Sequence, residues 1–372
     1  MFSVRPEAAG GQSTFDDIRT TTHELRIEGD TERFEWMLGG FFMWEDIVEE
    51  QGLGLERDFS RNTSANLFGI AGLPTSFDLN FSDEELIWTV KGAYALDDVT
   101  TVYASFTHGF KAGGFNLDPT AAALGPDATP ADPRFDSETV DAYELGLKTD
   151  LLDSRLRLNT ALFYQDIEDF QVLEFTGVQF QTFNVPKARS KGVEVELQAT
   201  PMNQLDLSLA VTYQDASYPG DCDGNAADAL PQVSALCGSR LTNAPDWAGV
   251  LGLTWEDMVP GTSLSWFAQS NVRWESKRRT STLPVREPTA EMLQPALDDF
   301  QDANAKVNLR LGIGAADDSW ALELWGNNIL DEQTKNVTFN VPLRGATALG
   351  TEGRGVYIEA PRTFGATFRL RR

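Results

Sequence analysis

Apolar and polar residues alternate with a period of two along most of the chain, and positions 155–215 show it most plainly. From 155 to 165, Leu156, Leu158, Thr160, Leu162 and Tyr164 fall on one face and Arg155, Arg157, Asn159 and Gln165 on the other. Positions 192–199 repeat this, with Val193, Val195, Leu197 and Ala199 against Glu194, Glu196 and Gln198. After the break Thr200-Pro201-Met202-Asn203, Leu205, Leu207, Leu209, Val211 and Tyr213 oppose Asp206, Ser208, Thr212 and Gln214. Successive strand side chains point to opposite faces, so each run predicts an amphipathic β-strand. Runs of about ten residues cross a bilayer when tilted, whereas ordinary strands average about half that length.

Similar runs recur from end to end. They are weak at 19–27, then clear at 34–44, 86–96, 99–110 and 143–147, and again at 247–255, 264–274, 307–313, 320–324 and 364–370. Short turns fall near Gly29-Asp30, Asp97-Asp98, 151–154, 200–203, 257–261 and 315–319, and the long polar loops lie at about 47–82, 110–137, 216–244, 275–302 and 331–361. The segment 168–188 reads as a tall hairpin rising above the membrane. Short turns on one side and long loops on the other define an all-β, antiparallel transmembrane β-barrel. A soluble sandwich has no reason to gather its long loops at one end. About 13 or 14 strands are expected, with residues 1–18 an outer-side leader or partial strand and 19–372 the barrel portion. The last strand runs toward the periplasm, but so does the first. Complete bacterial barrels have even strand counts and both termini inside, so strands are expected upstream.

The composition fits this picture. A formal charge of -26 and a pI near 4.4 argue against a nucleic-acid partner. No apolar run reaches the roughly 18 residues of a membrane helix, but a barrel hides its lipid affinity because every second residue is polar. The 23 Phe, 9 Trp and 7 Tyr are enough to form interfacial girdles. Cys222 and Cys237 lie in a polar loop. In an oxidising compartment they would close a ring of about 15 residues worth roughly 3 kcal/mol, and elsewhere they would be two free thiols. The first residues, Met1-Phe2-Ser3-Val4-Arg5-Pro6, lack the basic start and apolar core of a signal peptide, so a fragment or an internally started reading frame is expected.

Several segments resemble TonB-dependent outer-membrane receptors, importers of ferric siderophores, vitamin B12 and some carbohydrates. Tyr103-Ala104-Ser105-Phe106-Thr107-His108-Gly109-Phe110-Lys111-Ala112-Gly113-Gly114-Phe115-Asn116 is similar to that family's mid-barrel signature. Tyr143-Glu144-Leu145-Gly146-Leu147-Lys148-Thr149-Asp150 and Phe163-Tyr164-Gln165-Asp166-Ile167-Glu168-Asp169 resemble the strands that follow it. Ser190-Lys191-Gly192-Val193-Glu194-Val195-Glu196, Asn327-Asn328-Ile329-Leu330-Asp331 and Pro361-Arg362-Thr363-Phe364-Gly365 continue the likeness in the family's order. The resemblance implies the later part of a parent barrel of roughly 22 strands. In that parent, a plug domain and TonB would be partners, and a ferric siderophore or other bulky nutrient the ligand. By that resemblance, the plug and the TonB-contacting segment are expected to lie outside this sequence. The ending also departs from the family's usual terminal aromatic residue, because Arg371-Arg372 follow Leu370.

Candidate chemistry is sparse. With only His23 and His108, neither beside a partner at ligand spacing, no catalytic, cofactor or metal site is expected. Arg273, Lys277, Arg278 and Arg279 form the one dense basic cluster. It could contact an anionic ferric chelate or lipopolysaccharide phosphates, or simply be a solvated loop. Asp221, Asp223, Asn225 and Asp228 could hold calcium but fit a polar turn better, lacking EF-hand spacing. Phe115, Phe170, Phe175, Phe180 and Phe183 are expected on outer loops, lining a substrate mouth or packing within the loop layer. Arg155, Arg157, Glu194 and Glu196 are expected to pair along the lumen wall or against a plug. Two further readings remain open: a passive porin-like channel or barrel enzyme, and a soluble secreted β-rich binding protein.

Overall fold

The computed structural model describes residues 11–54, 76–116, 134–175, 180–223, 231–282, 299–341 and 354–371. Its first strands are β1 (Gly11–Asp30), β2 (Phe34–Gly54), β3 (Ser76–Ala95), β4 (Thr100–Lys111), β5 (Gly114–Phe115) and β6 (Arg134–Phe135). Next come β7 (Glu138–Leu151), β8 (Leu156–Phe175), β9 (Phe180–Met202), β10 (Leu205–Ser217) and the helix α1 (Pro231–Leu236). The remainder are β11 (Trp247–Met258), β12 (Leu264–Glu275), β13 (Arg278–Arg279), β14 (Phe300–Gln301), β15 (Asn304–Ala315), β16 (Trp320–Asn327), β17 (Lys335–Asn340), β18 (Arg354–Ile358) and β19 (Thr363–Leu370).

Thirteen strands form one antiparallel sheet in the order β1-β2-β3-β4-β7-β8-β9-β10-β11-β12-β15-β16-β19. Each wall strand lies beside its predecessor, giving the partial transmembrane barrel that the alternation predicts. Among the described residues no ladder joins β1 to β19, so these are the sheet's edges. The pairs β5–β6, β13–β14 and β17–β18 are small hairpins outside the wall.

Register keeps the two faces separate. Leu162 opposes both Leu145 and Val193, Leu209 opposes Leu197 and Leu251, and Leu311 opposes Ala268 and Leu324. A slip of one residue would turn every such side chain inward. On this face Leu145 is 56% exposed, Leu311 57%, Leu324 58% and Phe368 65%. So broad an apolar surface would drive aggregation in water, but in a bilayer it is the lipid coat. Aromatic rings edge it. Trp88, Phe106, Tyr143 and Tyr164 follow one another across four strands at centroid spacings of 4.7, 4.7 and 6.3 Å, and Tyr213 meets Trp247 at 4.8 Å. At the other end Trp255 lies 6.0 Å from Trp266. Trp247 to Trp255 is about 26 Å along the strand at ~3.3 Å per residue, or ~20 Å along the normal at ~40° of tilt. That is close to the height of an outer-membrane apolar band.

The opposite face is charged and amide-rich, and much of it pairs internally. Arg157 donates to Asp150 at 2.7 and 3.1 Å, and Tyr103 donates to Glu144 at 2.5 Å. Glu323, only 3% exposed, lies between Arg369 at 2.8 Å and Arg310 at 3.8 Å. The expected lumen pairing therefore holds for Arg157, while Glu196 takes a long hydrogen bond of 3.4 Å from Asn159.

Strands run further out than the alternation predicts. β2 and β3 stay paired as far as Gly52 and Ser76, inside the segment expected to be loop from 47 to 82. The backbone ladder there outlasts the apolar period on β2, whose positions 49–54 show none, whereas on β3 Phe77, Leu79 and Phe81 still alternate with Asp78, Asn80 and Ser82. Segment 168–188 is the tall hairpin expected, with β8 and β9 paired up to Phe175 and Phe180.

The compact apolar core also lies outside the membrane. Ile167, Val172, Phe183, Val185 and Ala188 of the tall hairpin pack with Tyr218, Cys222, Val233, Leu236 and Cys237 of the β10–β11 connection. Cys222 and Cys237 are joined in a disulfide that staples this connection around α1.

Candidate functional site

Two surfaces could handle a ligand: the inner wall and the layer of outer loops above it. The inner wall has a concavity of about 970 Å³ between β9 and β16. Asp206, Ser208, Thr254, Gln269, Asn308 and Arg310 are among its lining, so it offers hydrogen bonds of both senses on a surface more polar than apolar.

The outer layer is laced together by side chains reaching across loops. Segment 111–116, the end of the glycine-rich signature, is held from several directions. Gln171 Nε2 donates to the carbonyls of Ala112 at 2.8 Å and Asp136 at 3.1 Å. Asn116 clamps β9 both ways, donating to Thr182 O at 2.8 Å and accepting from Thr182 N at 2.6 Å. Asp83 accepts from Gly113 N and from Ser137 Oγ. A Cβ at Gly113 would stand 2.5 Å from both Phe135 O and the Phe81 ring, so only glycine fits this crossing. Phe115 lies in this turn, its ring edge-on to Phe81 at 6.1 Å.

The four cationic candidates divide. Arg278 is 6% exposed and is bound by Glu275 at 3.0 Å, by Lys335 O at 2.8 Å and by Asn243. Arg279 is 3% exposed and donates to Ser239 Oγ at 3.1 Å and Thr242 Oγ1 at 3.3 Å. Burial pulls its pKa below the ordinary arginine value. These two guanidinium groups tie loops together. Arg273 and Lys277 keep half their side-chain surface, Arg273 with Glu275 at 3.8 Å and Lys277 with Asp302 at 3.9 Å and over the Phe300 ring at 4.8 Å. The expected aromatic mouth also divides. Phe183 is buried in the outer core and Phe170 meets Tyr218 at 6.0 Å, while Phe180 stays exposed.

Asn225 and Asp228 lie outside the described residues. Asp223 accepts from Ser234 Oγ at 3.2 Å, and among the described residues no group of three or more metal-ligating side chains comes together. His108 lies between Asp141 at 2.7 Å and Glu85 at 3.6 Å.

Residues outside the quoted motifs, and two of the motifs themselves, organise the rest of the layer. Arg354 grips Asp299, and Thr338 donates to the same carboxylate at 3.0 Å. Within Asn327-Asn328-Ile329-Leu330-Asp331, Asn328 caps the bend, accepting from Glu332 N at 3.0 Å and donating to Glu332 O at 2.9 Å. This bend places Asp331 3.3 Å from Arg362.

A lipid-coated sheet with a polar inner face and a laced outer layer is the wall of a membrane-spanning β-barrel. Residues 52–329 match the family described as TonB dependent receptor-like, beta-barrel, and the chain belongs to that family. Its members are Gram-negative outer-membrane transport receptors rather than enzymes. The pesticin receptor of Yersinia pestis is 32% identical over 142 residues, covering 37% of this chain and 20% of that protein. The metal-pseudopaline receptor CntO of Pseudomonas aeruginosa is 32% identical over 117 residues, covering 32% and 15%. Among solved structures, the ferric yersiniabactin uptake receptor FyuA from Yersinia pestis superimposes with a TM-score of 0.71 at 15% identity, over 96% of this chain and 46% of that one. The chain thus spans about half the length of the solved receptor that it matches and a fifth or less of each curated relative.

Proposed function

We propose that this chain forms the later part of the barrel of an outer-membrane receptor in a Gram-negative bacterium, importing a ferric siderophore or similarly bulky nutrient with energy from TonB. The observation that carries this reading is the pairing of a lipid-facing wall with a hydrogen-bonding lumen, in a chain of the receptor family. Further strands would close the β1 and β19 edges, which in hydrocarbon would otherwise leave polar groups unpaired at several kcal/mol each. A plug domain would rest against Asp206, Gln269 and Arg310, and lipid and lipopolysaccharide would surround the outside. At the mouth, Arg273 and Lys277 offer charge-assisted bonds to an anionic chelate, and Phe115 offers an aromatic edge. The relatives' names, a receptor for a metal–pseudopaline complex and one for ferric yersiniabactin, support a metal chelate as cargo.

Deleting the gene from its host and measuring uptake of a panel of radioactive ferric chelates is the direct test. One chelate should lose its TonB-dependent accumulation, and re-expression should restore it. Unchanged TonB-dependent uptake of every chelate, cobalamin and oligosaccharide tried would overturn the proposal.

A further inference from the structure

The β8–β9 hairpin touches a part of the molecule that the wall places far away. β9 is seventh in the sheet and β16 twelfth, five steps or about 24 Å along the wall at ~4.8 Å each. The β17–β18 hairpin rises between β16 and β19. Even so, the rings of Phe180, Phe175, Phe339 and Tyr357 form a chain across the gap, with centroid spacings of 5.0, 6.5 and 5.2 Å. Thr282 Oγ1 donates to Leu173 O at 3.2 Å beside it. The tall hairpin therefore leans over the concave side and meets its opposite number above the mouth.

Glu174 lies in this junction between Leu173 and Phe175. Among the described residues, the charged group acting on it is Arg354 on β18. That guanidinium already gives 2.7 Å bonds to both carboxylate oxygens of Asp299, and Ser281 Oγ takes another at 2.9 Å. On β9 the residue opposite Glu174 is the neutral Gln181. A half-buried carboxyl thus lies where the one cation acting on it among the described residues also serves Asp299 and Ser281.

We propose that the β8–β9 and β17–β18 hairpins form a proton-sensitive latch over the outer mouth, closed while Glu174 is neutral and released when it ionises. The proposal does not depend on which nutrient the receptor imports. Burial holds the Glu174 carboxyl up at about 7, against an ordinary 4.5, with Arg354 pulling weakly the other way. In the open arrangement the group returns to water and to its ordinary value. Closure is then fully favoured below about pH 4.5, weakens as pH rises, and levels off above about 7, a change on the order of 10²-fold in the closed-to-open ratio.

Spin labels on Leu173→Cys and Ile358→Cys would report the gap between the hairpins. Both side chains are exposed, and the two native cysteines are already paired. In the host's envelope fraction, the unsubstituted latch should give a short, narrow distance at pH 5 and a longer, broader one at pH 8. Glu174→Gln, with Glu174→Met as a second neutral variant, should stay short at both. Phe339→Ala should give the long distance even at pH 5. An unchanged distance between pH 5 and 8, neutral variants that still open at pH 8, or a short distance in Phe339→Ala would each overturn the latch.

Discussion

Arg354 holds Asp299 through two hydrogen bonds of 2.7 Å, one from Nε and one from Nη2, across 55 residues of sequence. The pair is almost wholly enclosed, with side-chain exposures of 10% and 2%. Removing Asp299 leaves the buried Arg354 guanidinium without its carboxylate, and breaking a buried pair typically costs about 3–5 kcal/mol. Asp299→Ala should therefore unlace β13, β14, β17 and β18. Hydrogen exchange at Thr280 and Thr338, whose amides donate to Asp299 O and Thr280 O, should accelerate by orders of magnitude while the wall strands keep their protection.

The disulfide should matter locally. Cys222 and Cys237 close a ring with a sequence separation of 15, worth roughly 3 kcal/mol by the loop-entropy estimate. Cys222→Ser with Cys237→Ser should open the outer core to protease near α1 and raise exchange at Val185. Heat-modifiable gel migration, which reports the wall, should not change.

Lys306 donates to Glu359 at 2.5 Å, and this bond is the main reason the Glu359 carboxyl titrates below its ordinary value of 4.5. A depressed acid contributes stability above its unfolded pKa and loses it as pH falls through the folded one. The Glu359 amide, which donates to Thr334 O, should therefore keep its protection at pH 6 and lose it toward pH 3, after correction for intrinsic rates. Lys306→Met should flatten that dependence, at a cost on the order of 1 kcal/mol for this partly buried pair.

The basic cluster should separate by function. In the full-length receptor, Arg273→Gln with Lys277→Gln should lower the initial rate of anionic-chelate uptake several-fold without altering assembly. Arg278→Gln and Arg279→Gln should reduce the amount of protease-resistant outer layer instead. If all four variants assembled normally and imported at the parental rate, this division of roles would be wrong.

These roles mark where the sequence stops being readable. In the bilayer one face of each strand meets hydrocarbon and the other water, so Leu205 to Tyr213 spells out strand, face and span. Beyond the girdle the two environments become one. Glu45 and Asp46 pair with Asp83 and Ser82 in an unbroken ladder, and only one of its strands announces it: Phe77, Leu79 and Phe81 alternate with Asp78, Asn80 and Ser82 on β3, while positions 49–54 of β2 show no apolar repeat. Burial in the outer layer depends on partners scattered through the chain. Arg278 meets Asn243, Lys335 and Asn336, and no local pattern distinguishes it from the exposed Lys277. The signature ending at Asn116 is legible as a motif, but its task of clamping Thr182 becomes visible only once β9 is in place.

The central claim is that neighbouring residues of one wall strand look into different solvents, and nitroxides on Leu207→Cys and Asp206→Cys test it most directly. Relaxation by oxygen, which concentrates in lipid, should dominate at 207, and relaxation by a water-soluble nickel complex at 206. Equal nickel accessibility at both sites in native membranes would contradict the account.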